Sequence, residues 1–273
     1  MRVTLPLARG FDPAQVRDPE RCGAVDWARF NANFERFLNT PWRGVNRAFQ
    51  GPRWLRALRL ALAFAQQQRG AIHDFDGKAR ALSRFPVPPN PSVVFFGAAA
   101  GWEAAILQAL FGAGGEVVLI DQDPAAHERY LHAPTSVRVR APKGWHSRWL
   151  DVERDLDRWR HLRENFFDVA PDGRFDVGID WGLIEHFDDE GKPKLIAHFR
   201  KFLKPGGIQI SSCPRDRFAV RLFYRAFADE LNVGYRELMT LGELSKRIEE
   251  AGGIVEDRFT LPAHNIVSYR SRE

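Results

Sequence analysis

The chain has little cysteine and no long apolar stretch. Only two of its 273 residues are cysteine, Cys22 and Cys213, and their separation matches no metal-ligand spacing. We therefore expect reduced, packed thiols rather than a disulfide framework. No apolar run approaches the roughly 18 residues that a membrane-spanning helix needs, and residues 1–10 lack the apolar centre of a signal peptide. These absences predict a cytoplasmic protein.

Acidic residues are scarce in the N-terminal third. Residues 1–90 hold 15 Lys and Arg against 7 Asp and Glu, whereas the rest of the chain holds 25 against 28. Residues 36–73 contain seven arginines and no acid. Such a patch suits phosphate, lipid headgroups, nucleic acid or a carboxylated substrate. The simplest interpretation is the solvated face of an amphipathic helix at 53–68. An active-site lid, a peripheral membrane contact and nucleic-acid binding are the alternatives.

Proline divides the chain into two regions. Four prolines in residues 85–91 exclude a continuous helix and predict an extended connector. Before it, apolar residues spaced by three or four predict helices at 26–38 and 53–68, so residues 1–90 form a predicted helical extension or lid. After it, short apolar runs alternate with helical patterns, which is typical of a parallel sheet with crossover helices.

The second region contains the predicted sheet. Its predicted strands cover residues 93–96, 117–120, 175–179 and 208–210, and residues 254–261 and 265–269 form a closing antiparallel hairpin. Helical periodicity extends over residues 195–203 and 241–251. In the less regular segment between 125 and 164, we predict a strand at 137–139 and a helix at 155–163.

Small residues end the first predicted strand. They are Gly97, Ala98, Ala99 and Gly101. Free backbone N–H groups at such a turn favour a carboxylate or a phosphate. Twenty residues beyond Gly101, Asp121 follows the next strand, where a carboxylate can accept hydrogen bonds from ribose hydroxyls. Capping of the following helix is the alternative role for Asp121. The pattern predicts a nucleoside site between two strand ends.

The spacing of these residues distinguishes between two sequence motifs that bind nucleoside-containing cofactors. The dinucleotide fingerprint requires glycine at positions 99 and 102, where this chain has Ala99 and Trp102. The observed pattern instead resembles the first motif of class I S-adenosylmethionine-dependent methyltransferases. Residues 175–187 resemble that family's fourth-strand signature, and residues 203–207 resemble the turn before its fifth strand. The resemblance runs from about residue 93 to the C terminus.

The resemblance implies a fold and a cofactor. The fold is a doubly wound, seven-stranded, mostly parallel sheet of the Rossmann-like methyltransferase type in residues 91–273, with a substrate-covering insertion at 215–238. The cofactor is S-adenosylmethionine, and no metal ion is required. The implied cofactor-binding residues are Gly97, Ala98, Ala99, Gly101, Asp121, Gln122, Asn165, Asp180, Trp181 and Gly182.

Two positions depart from the family pattern. Phe95 stands where an acid is usual, and Ala99 replaces the central glycine. Either Glu103 or Asp180 replaces the missing acid, or the cofactor binds weakly, or the protein is a non-catalytic relative.

The resemblance also implies a direct, in-line methyl transfer. His186 is expected near the substrate as a general base, because its ordinary pKa suits neutral pH, and Glu185 is the second catalytic candidate. We expect a small-molecule or lipid-like acceptor, since the insertion is rich in apolar residues. These residues are Phe218, Leu222, Phe223, Tyr224 and Phe227. An RNA or DNA methyltransferase is the alternative, although Asp180-Trp-Gly-Leu stands where base-amine methyltransferases carry an Asn/Asp-Pro-Pro-Tyr motif.

Overall fold

The structure, a computed structural model, describes most of the chain. It covers residues 3–8, 11, 12, 16, 23, 25–39, 52, 54, 74–143 and 146–271. The predicted basic helix at 53–68 lies outside these residues, except for residue 54. Within the described part, no helix combines the length and the apolar character that crossing a membrane requires.

The strands form one large sheet and two small ones. In chain order they are β1 (Val3–Thr4), β2 (Val93–Phe96), β3 (Val117–Ile120), β4 (Ser136–Lys143), β5 (His146–Glu153), β6 (Arg160–Leu162), β7 (Phe175–Trp181), β8 (Leu203–Pro214), β9 (Glu237–Leu238), β10 (Gly253–Thr260) and β11 (His264–Ser271). The large sheet has the order β10-β11-β8-β7-β2-β3-β6. Strands β6, β3, β2, β7 and β8 run parallel, and β8, β11 and β10 pair antiparallel. The predicted seven-stranded sheet and its closing hairpin are confirmed.

Helices lie on both faces of the large sheet. In chain order the described helices are α1 (Trp27–Asn39), α2 (Phe75–Leu82), α3 (Trp102–Phe111), α4 (Pro124–His132), α5 (Gly191–Arg200), α6 (Phe218–Ala226), α7 (Ala228–Leu231) and α8 (Leu241–Glu250). The helices predicted at 26–38, 195–203 and 241–251 correspond to α1, α5 and α8. The predicted connector at 85–91 contains neither helix nor strand.

Strand β2 shows how the sheet separates two apolar cores. Its four residues are all buried, and alternate side chains point to opposite faces. Val93 and Phe95 belong to the core that includes α3, whereas Val94 and Phe96 belong to the core that includes α5. The Phe96 ring stacks on Phe199 of α5 with centroids 4.0 Å apart. A strand buried on both faces has no solvent side, which explains its uninterrupted apolar sequence.

The order of the strands creates a crevice beside β2. From β2 the chain moves outward to β3 and β6 and then returns to β7 on the other side of β2. The strands that follow β2 in the chain, β3 and β6, therefore lie on one side of β2, and the next strand, β7, lies on the other side. In open α/β sheets, ligands bind outside the carboxyl ends of the strands at such a switch point. The turns after β2, β3 and β7 are therefore the expected walls of a site.

The prediction for residues 155–163 is wrong. The Asp155 carboxylate accepts a hydrogen bond from the Arg158 backbone N–H and forms a turn. The following residues form β6, which pairs in parallel with β3. The periodic apolar residue Trp159 is buried because it packs into the core and donates to Gln108 at 3.2 Å, not because it lies on a helix face. Pairing with β3 overrides the local helical pattern.

Two further elements differ from the predictions. Residues 203–207 were expected as a turn before a strand, but they belong to β8, where the pairing register with β7 shifts. The strand predicted at 137–139 lies within β4, which pairs with β5 as a separate antiparallel hairpin that the sequence pattern did not predict.

Candidate active site

A cavity of about 370 Å³ lies at the carboxyl ends of the central strands. Its walls come from the turns after β2, β3 and β7, from α1 and α2, and from the segment between β8 and β9. Most of the exposed lining is apolar, and several charged side chains interrupt it. These charged residues are Lys78, Asp121, Arg129, Glu185, Arg217 and Arg236. The volume falls within the range of roughly 300 to 1,000 Å³ that is typical of small-molecule sites.

The turns after β2 and β3 meet at this cavity. The Ala99 backbone N–H donates to Asp121 Oδ2 at 3.1 Å, and the Asp123 backbone N–H donates to Asp121 Oδ1 at 3.1 Å. Gly97, Ala99 and Asp121 all line the cavity. Ala99 adopts a left-handed φ of 43°, a conformation that the absent glycine would adopt more readily. The two strand ends predicted to hold a nucleoside thus open onto one cleft, and we call the part of it formed by Gly97, Ala99 and Asp121 the cradle.

Asp121 is a half-buried carboxylate that can accept further hydrogen bonds. Burial raises the pKa of Asp121, and the two backbone N–H groups oppose that rise. Each oxygen accepts one backbone bond and keeps a second lone pair for a hydroxyl donor. The alternative role, capping of the next helix, belongs instead to Asp123, whose side chain accepts from the Ala125 N–H at the start of α4.

Two of the predicted small residues do not line the cavity. Ala98 is buried in the core with α3. Gly101 is the N-cap of α3 with a φ of 77°, and a Cβ atom there would lie 2.7 Å from Leu119 Cδ1. Gly101 therefore permits close packing of α3 on β3. Gly101 has this packing role and does not belong to the cavity wall.

Asn165, one of the implied cofactor-binding residues, lies one layer behind the cavity wall. Asn165 Nδ2 donates to Gln122 Oε1 at 3.1 Å, and Gln122 lines the cavity whereas Asn165 does not. The Asn165 side-chain oxygen Oδ1 accepts from the Phe167 N–H at 2.9 Å. Phe166 also lines the cavity. This corner of the cavity thus presents an amide beside an aromatic ring.

The end of β7 divides its residues between the core and the cavity. Trp181 and Gly182 line the cavity, whereas Asp180 is 1% exposed and lies behind it. Asp180 accepts hydrogen bonds from the Ser211 hydroxyl and from Gln209 Nε2. Burial raises the pKa of Asp180 to about 7. The predicted direct contact between Asp180 and a ligand is therefore not part of this geometry.

The two catalytic candidates also lie at different depths. Glu185 lines the cavity, although it is only 1% exposed, and burial raises its pKa to about 7. His186 does not line the cavity. Its Nδ1 donates to the Tyr235 carbonyl oxygen at 2.8 Å, and its Nε2 lies 3.7 Å from Glu185 Oε1. Burial lowers the pKa of His186 well below its usual value, so the ring is neutral.

Helix α1 forms a further wall of the cavity. Trp27, Phe30 and Asn31 line the cavity. The Asn31 side chain donates to the Asp123 carboxylate and accepts from Arg129 Nη2 at 2.6 Å. These bonds attach α1 to α4 beside the cleft that holds Asp121.

The predicted insertion supplies the remaining wall. Of its five predicted apolar residues, Phe223 and Tyr224 line the cavity. Phe218 is 80% exposed, Phe227 is fully buried, and Leu222 is partly buried away from the cavity wall. The insertion therefore covers the cavity with one face of α6.

Several polar residues of the cavity wall were not predicted from the sequence. Lys78 of α2 pairs with Glu103 at 2.5 Å and lies 5.3 Å from the Trp181 ring centroid. Glu103 does not line the cavity, so neither proposed substitute for the acid missing at Phe95 does so. Arg236, from the end of the insertion, lies between α6 and Glu185. No local motif marks these residues, because each reaches the cavity from a different element.

Comparisons with known proteins agree with this architecture. A family model described as a methyltransferase domain matches residues 55–253. No curated protein sequence matches the chain significantly. Among solved structures, one similar protein is the Burkholderia thailandensis 1,6-didemethyltoxoflavin-N1-methyltransferase with bound 1,6-didemethyltoxoflavin and S-adenosylhomocysteine. It is 16% identical, with a TM-score of 0.51, over 82% of this chain and 92% of that one.

Two further structures share the fold. Human N-acetylserotonin methyltransferase in complex with S-adenosylmethionine is 14% identical, with a TM-score of 0.51, over 93% of this chain and 68% of that one. A putative methyltransferase in complex with the Haloferax volcanii Trm112 activator is 15% identical, with a TM-score of 0.54, over 79% of this chain and 97% of that one.

The residues of the cavity fit the cofactor of this family. S-adenosylmethionine carries ribose hydroxyls, a flat base and a carboxylate. The cavity wall contains the carboxylate of Asp121, the ring of Phe166 and the ammonium group of Lys78. Together with the match over most of its length, this donor set identifies the chain as a member of the methyltransferase domain family and as a class I enzyme that uses S-adenosylmethionine.

Proposed function

We propose that this methyltransferase acts on a small-molecule or lipid-like acceptor. The observation that carries the proposal is the cover over the cavity. Helices α1 and α6 contribute the aromatic side chains of Trp27, Phe30, Phe223 and Tyr224 to the cavity wall. A cavity lined by these aromatic rings suits an acceptor that is itself compact and largely apolar.

The residue roles in this proposal follow from position. The Asp121 carboxylate accepts hydrogen bonds from the ribose hydroxyls, Gln122 faces the base, and Gly97, Ala99 and Gly182 leave space for the cofactor. Asn165 is a positioning residue that holds Gln122. Residues 26–39 and 215–238 act as covers that exclude water from the reacting groups.

Glu185 is the proposed proton acceptor. Bound S-adenosylmethionine would supply a methyl group to an oxygen or nitrogen atom of the acceptor and would leave as S-adenosylhomocysteine. The acceptor's proton passes to the Glu185 carboxylate, whose pKa near 7 suits a base at neutral pH. His186 is assigned a positioning role, because it lies behind Glu185 and is fixed to the Tyr235 carbonyl oxygen. Holding both reactants in line accounts for most of the rate enhancement.

Transfer of a labelled methyl group tests this proposal. The protein is incubated with methyl-labelled S-adenosylmethionine and, in separate reactions, with a metabolite and lipid extract or with total RNA. We expect label in the low-molecular-weight or solvent-extractable fraction, and we expect Glu185→Gln to reduce it. Label found in RNA alone would overturn the assignment of the acceptor class.

A further inference from the structure

Arg236 is a buried cation on the cavity wall that the proposed reaction does not use. It belongs to the insertion, it lines the cavity, and it is 6% exposed. Its guanidinium group lies 4.6 Å from the Tyr224 ring centroid and 5.4 Å from the Phe30 ring centroid. These rings hold the plane of the guanidinium group in one orientation.

One edge of this guanidinium group lacks hydrogen-bond partners. Nη1 donates to the Tyr224 hydroxyl at 2.8 Å and lies 4.0 Å from Glu185 Oε1. Among the described residues, Nε and Nη2 of Arg236 are buried without any hydrogen-bond acceptor. A buried charged donor without an acceptor is costly, so the free edge marks a position where an acceptor is expected.

The geometry of the free edge defines the acceptor group. Nε–H and Nη2–H lie in the guanidinium plane, on the same edge, and point in parallel. This geometry matches the two oxygens of a carboxylate. The same chain contains an example at Arg221, whose Nε and Nη2 donate to the two carboxylate oxygens of Asp216. Arg236 presents the same edge, but no carboxylate of the described residues occupies it.

We infer that the methyl acceptor carries a carboxylate, which Arg236 binds through Nε and Nη2. This inference rests on the proposed small-molecule function and narrows it to organic acids, with the aromatic rings of α1 and α6 favouring a flat or conjugated acid. The methyl-accepting oxygen or nitrogen is then a second group of the same molecule, placed beside Glu185. Arg236 thereby sets both the selectivity for acids and the orientation of the acceptor.

Matched acid and ester probes test the inference. The protein loaded with S-adenosylhomocysteine is titrated calorimetrically with 4-hydroxybenzoate, indole-3-acetate and laurate, and with the methyl ester of each. We expect at least one acid to bind about 10- to 100-fold more tightly than its ester, the range for a charge-assisted hydrogen bond. We expect Arg236→Gln to abolish this preference for acids. Arg236→Lys keeps the charge but not the two parallel N–H groups, so we expect it to retain only part of the preference.

Controls separate this inference from the proposed function. Arg225→Gln, at an exposed position on α6 outside the cavity wall, retains the preference for acids. The protein is loaded by titration with S-adenosylhomocysteine before the acids are added. Failure of wild-type protein to bind S-adenosylhomocysteine in that titration contradicts the enzymatic assignment itself. Normal cofactor binding overturns the carboxylate inference in three cases: no acid is preferred over its ester, phenyl phosphate binds more tightly than every acid, or Arg236→Gln keeps the preference.

Discussion

At the scale of single residues, Asp121 is both a link between two turns and the proposed acceptor for the ribose hydroxyls. Its Oδ2 accepts from the Ala99 N–H and links the turns after β2 and β3, whereas its Oδ1 accepts from the Asp123 N–H within the second turn. We expect Asp121→Asn to lower the affinity for S-adenosylmethionine by about 2 kcal/mol, because a carboxylate oxygen that would accept from the ribose is replaced by an amide donor. Isothermal titration calorimetry measures this change.

Asp188 provides a control for Asp121. Its Oδ1 accepts from two backbone N–H groups, those of Glu190 and Gly191, and Asp188 lies outside the cavity wall. Asp188→Asn is therefore expected to leave cofactor affinity unchanged. Equal affinities of Asp121→Asn and wild-type protein would contradict the assignment of Asp121 to the ribose.

The protonation state of Glu185 predicts the pH dependence of catalysis. Burial raises the pKa of Glu185 to about 7, so the carboxylate form that accepts a proton increases as the pH rises through 7. We expect kcat/KM to increase over the same range and then to level off. In Glu185→Gln the rate falls and this ascending limb disappears. An ascending limb that survives the substitution assigns the titration to another group.

At the scale of elements, α1 depends on one asparagine for its attachment beside the cofactor cleft. Asn31 is 6% exposed and bonds to Asp123 and Arg129 of the α4 region. We expect Asn31→Ala to accelerate release of S-adenosylhomocysteine about tenfold, because α1 loses the bonds that hold it over the cavity. Stopped-flow fluorescence of cofactor release measures the effect.

Asn33 offers a control on the same helix. Its Nδ2 donates to the Glu230 carbonyl oxygen at 3.0 Å, which attaches α1 to α7 rather than to α4. Cofactor release from Asn33→Ala is expected to stay close to the wild-type rate. If both variants release the cofactor equally fast, the effect reflects general loosening of α1 and not its contact with α4.

Elements also differ in how far local pattern determines them. Strands β2 and β3 are buried on both faces, so their uninterrupted apolar sequence identifies them without reference to the rest of the chain. Strand β6 carries a helical pattern and becomes a strand only because the edge of β3 is available for pairing. Propensity decides the first case and tertiary pairing the second.

At the scale of the whole molecule, the buried carboxyl of Asp180 links stability to pH. Its folded-state pKa of about 7 lies above the ordinary value of 3.8. The folded protein therefore binds more protons than the unfolded chain between these values, and the stability from this group is complete below the ordinary pKa and is lost as the pH rises through 7. Asp180→Asn removes this dependence.

Urea unfolding at about pH 5 and about pH 8 tests this linkage. Relative to wild-type protein, Asp180→Asn is expected to gain stability at the higher pH. Asp176→Asn is the control, because hydrogen bonds from Lys204 and Ser92 outweigh burial and lower the pKa of Asp176, so its linkage lies at acidic pH. A stability difference between Asp180→Asn and wild type that does not change with pH would show that Asp180 is ionised throughout.

The sequence alone determined six of the seven strands of the large sheet, the cofactor family and the residues of the cradle. Each depends on residues that are close in the chain: short apolar strands, the small residues after β2, and the acid at the end of β3. Such local patterns predict structure because backbone conformation and strand burial restrict which residues fit at each position. Gly97, Ala99 and Asp121 meet at one cavity as their spacing predicts.

Only the tertiary structure decided which residues surround that cradle and in which protonation state. Lys78, Asn31 and Arg236 come from three separate elements, and nothing in their local sequence marks them as residues of one cavity. The structure also placed Glu185 at the wall and His186 behind it, although the two are adjacent in the chain. Burial depends on packing from distant segments, and burial sets the pKa of a carboxyl group and leaves the edge of Arg236 without a partner.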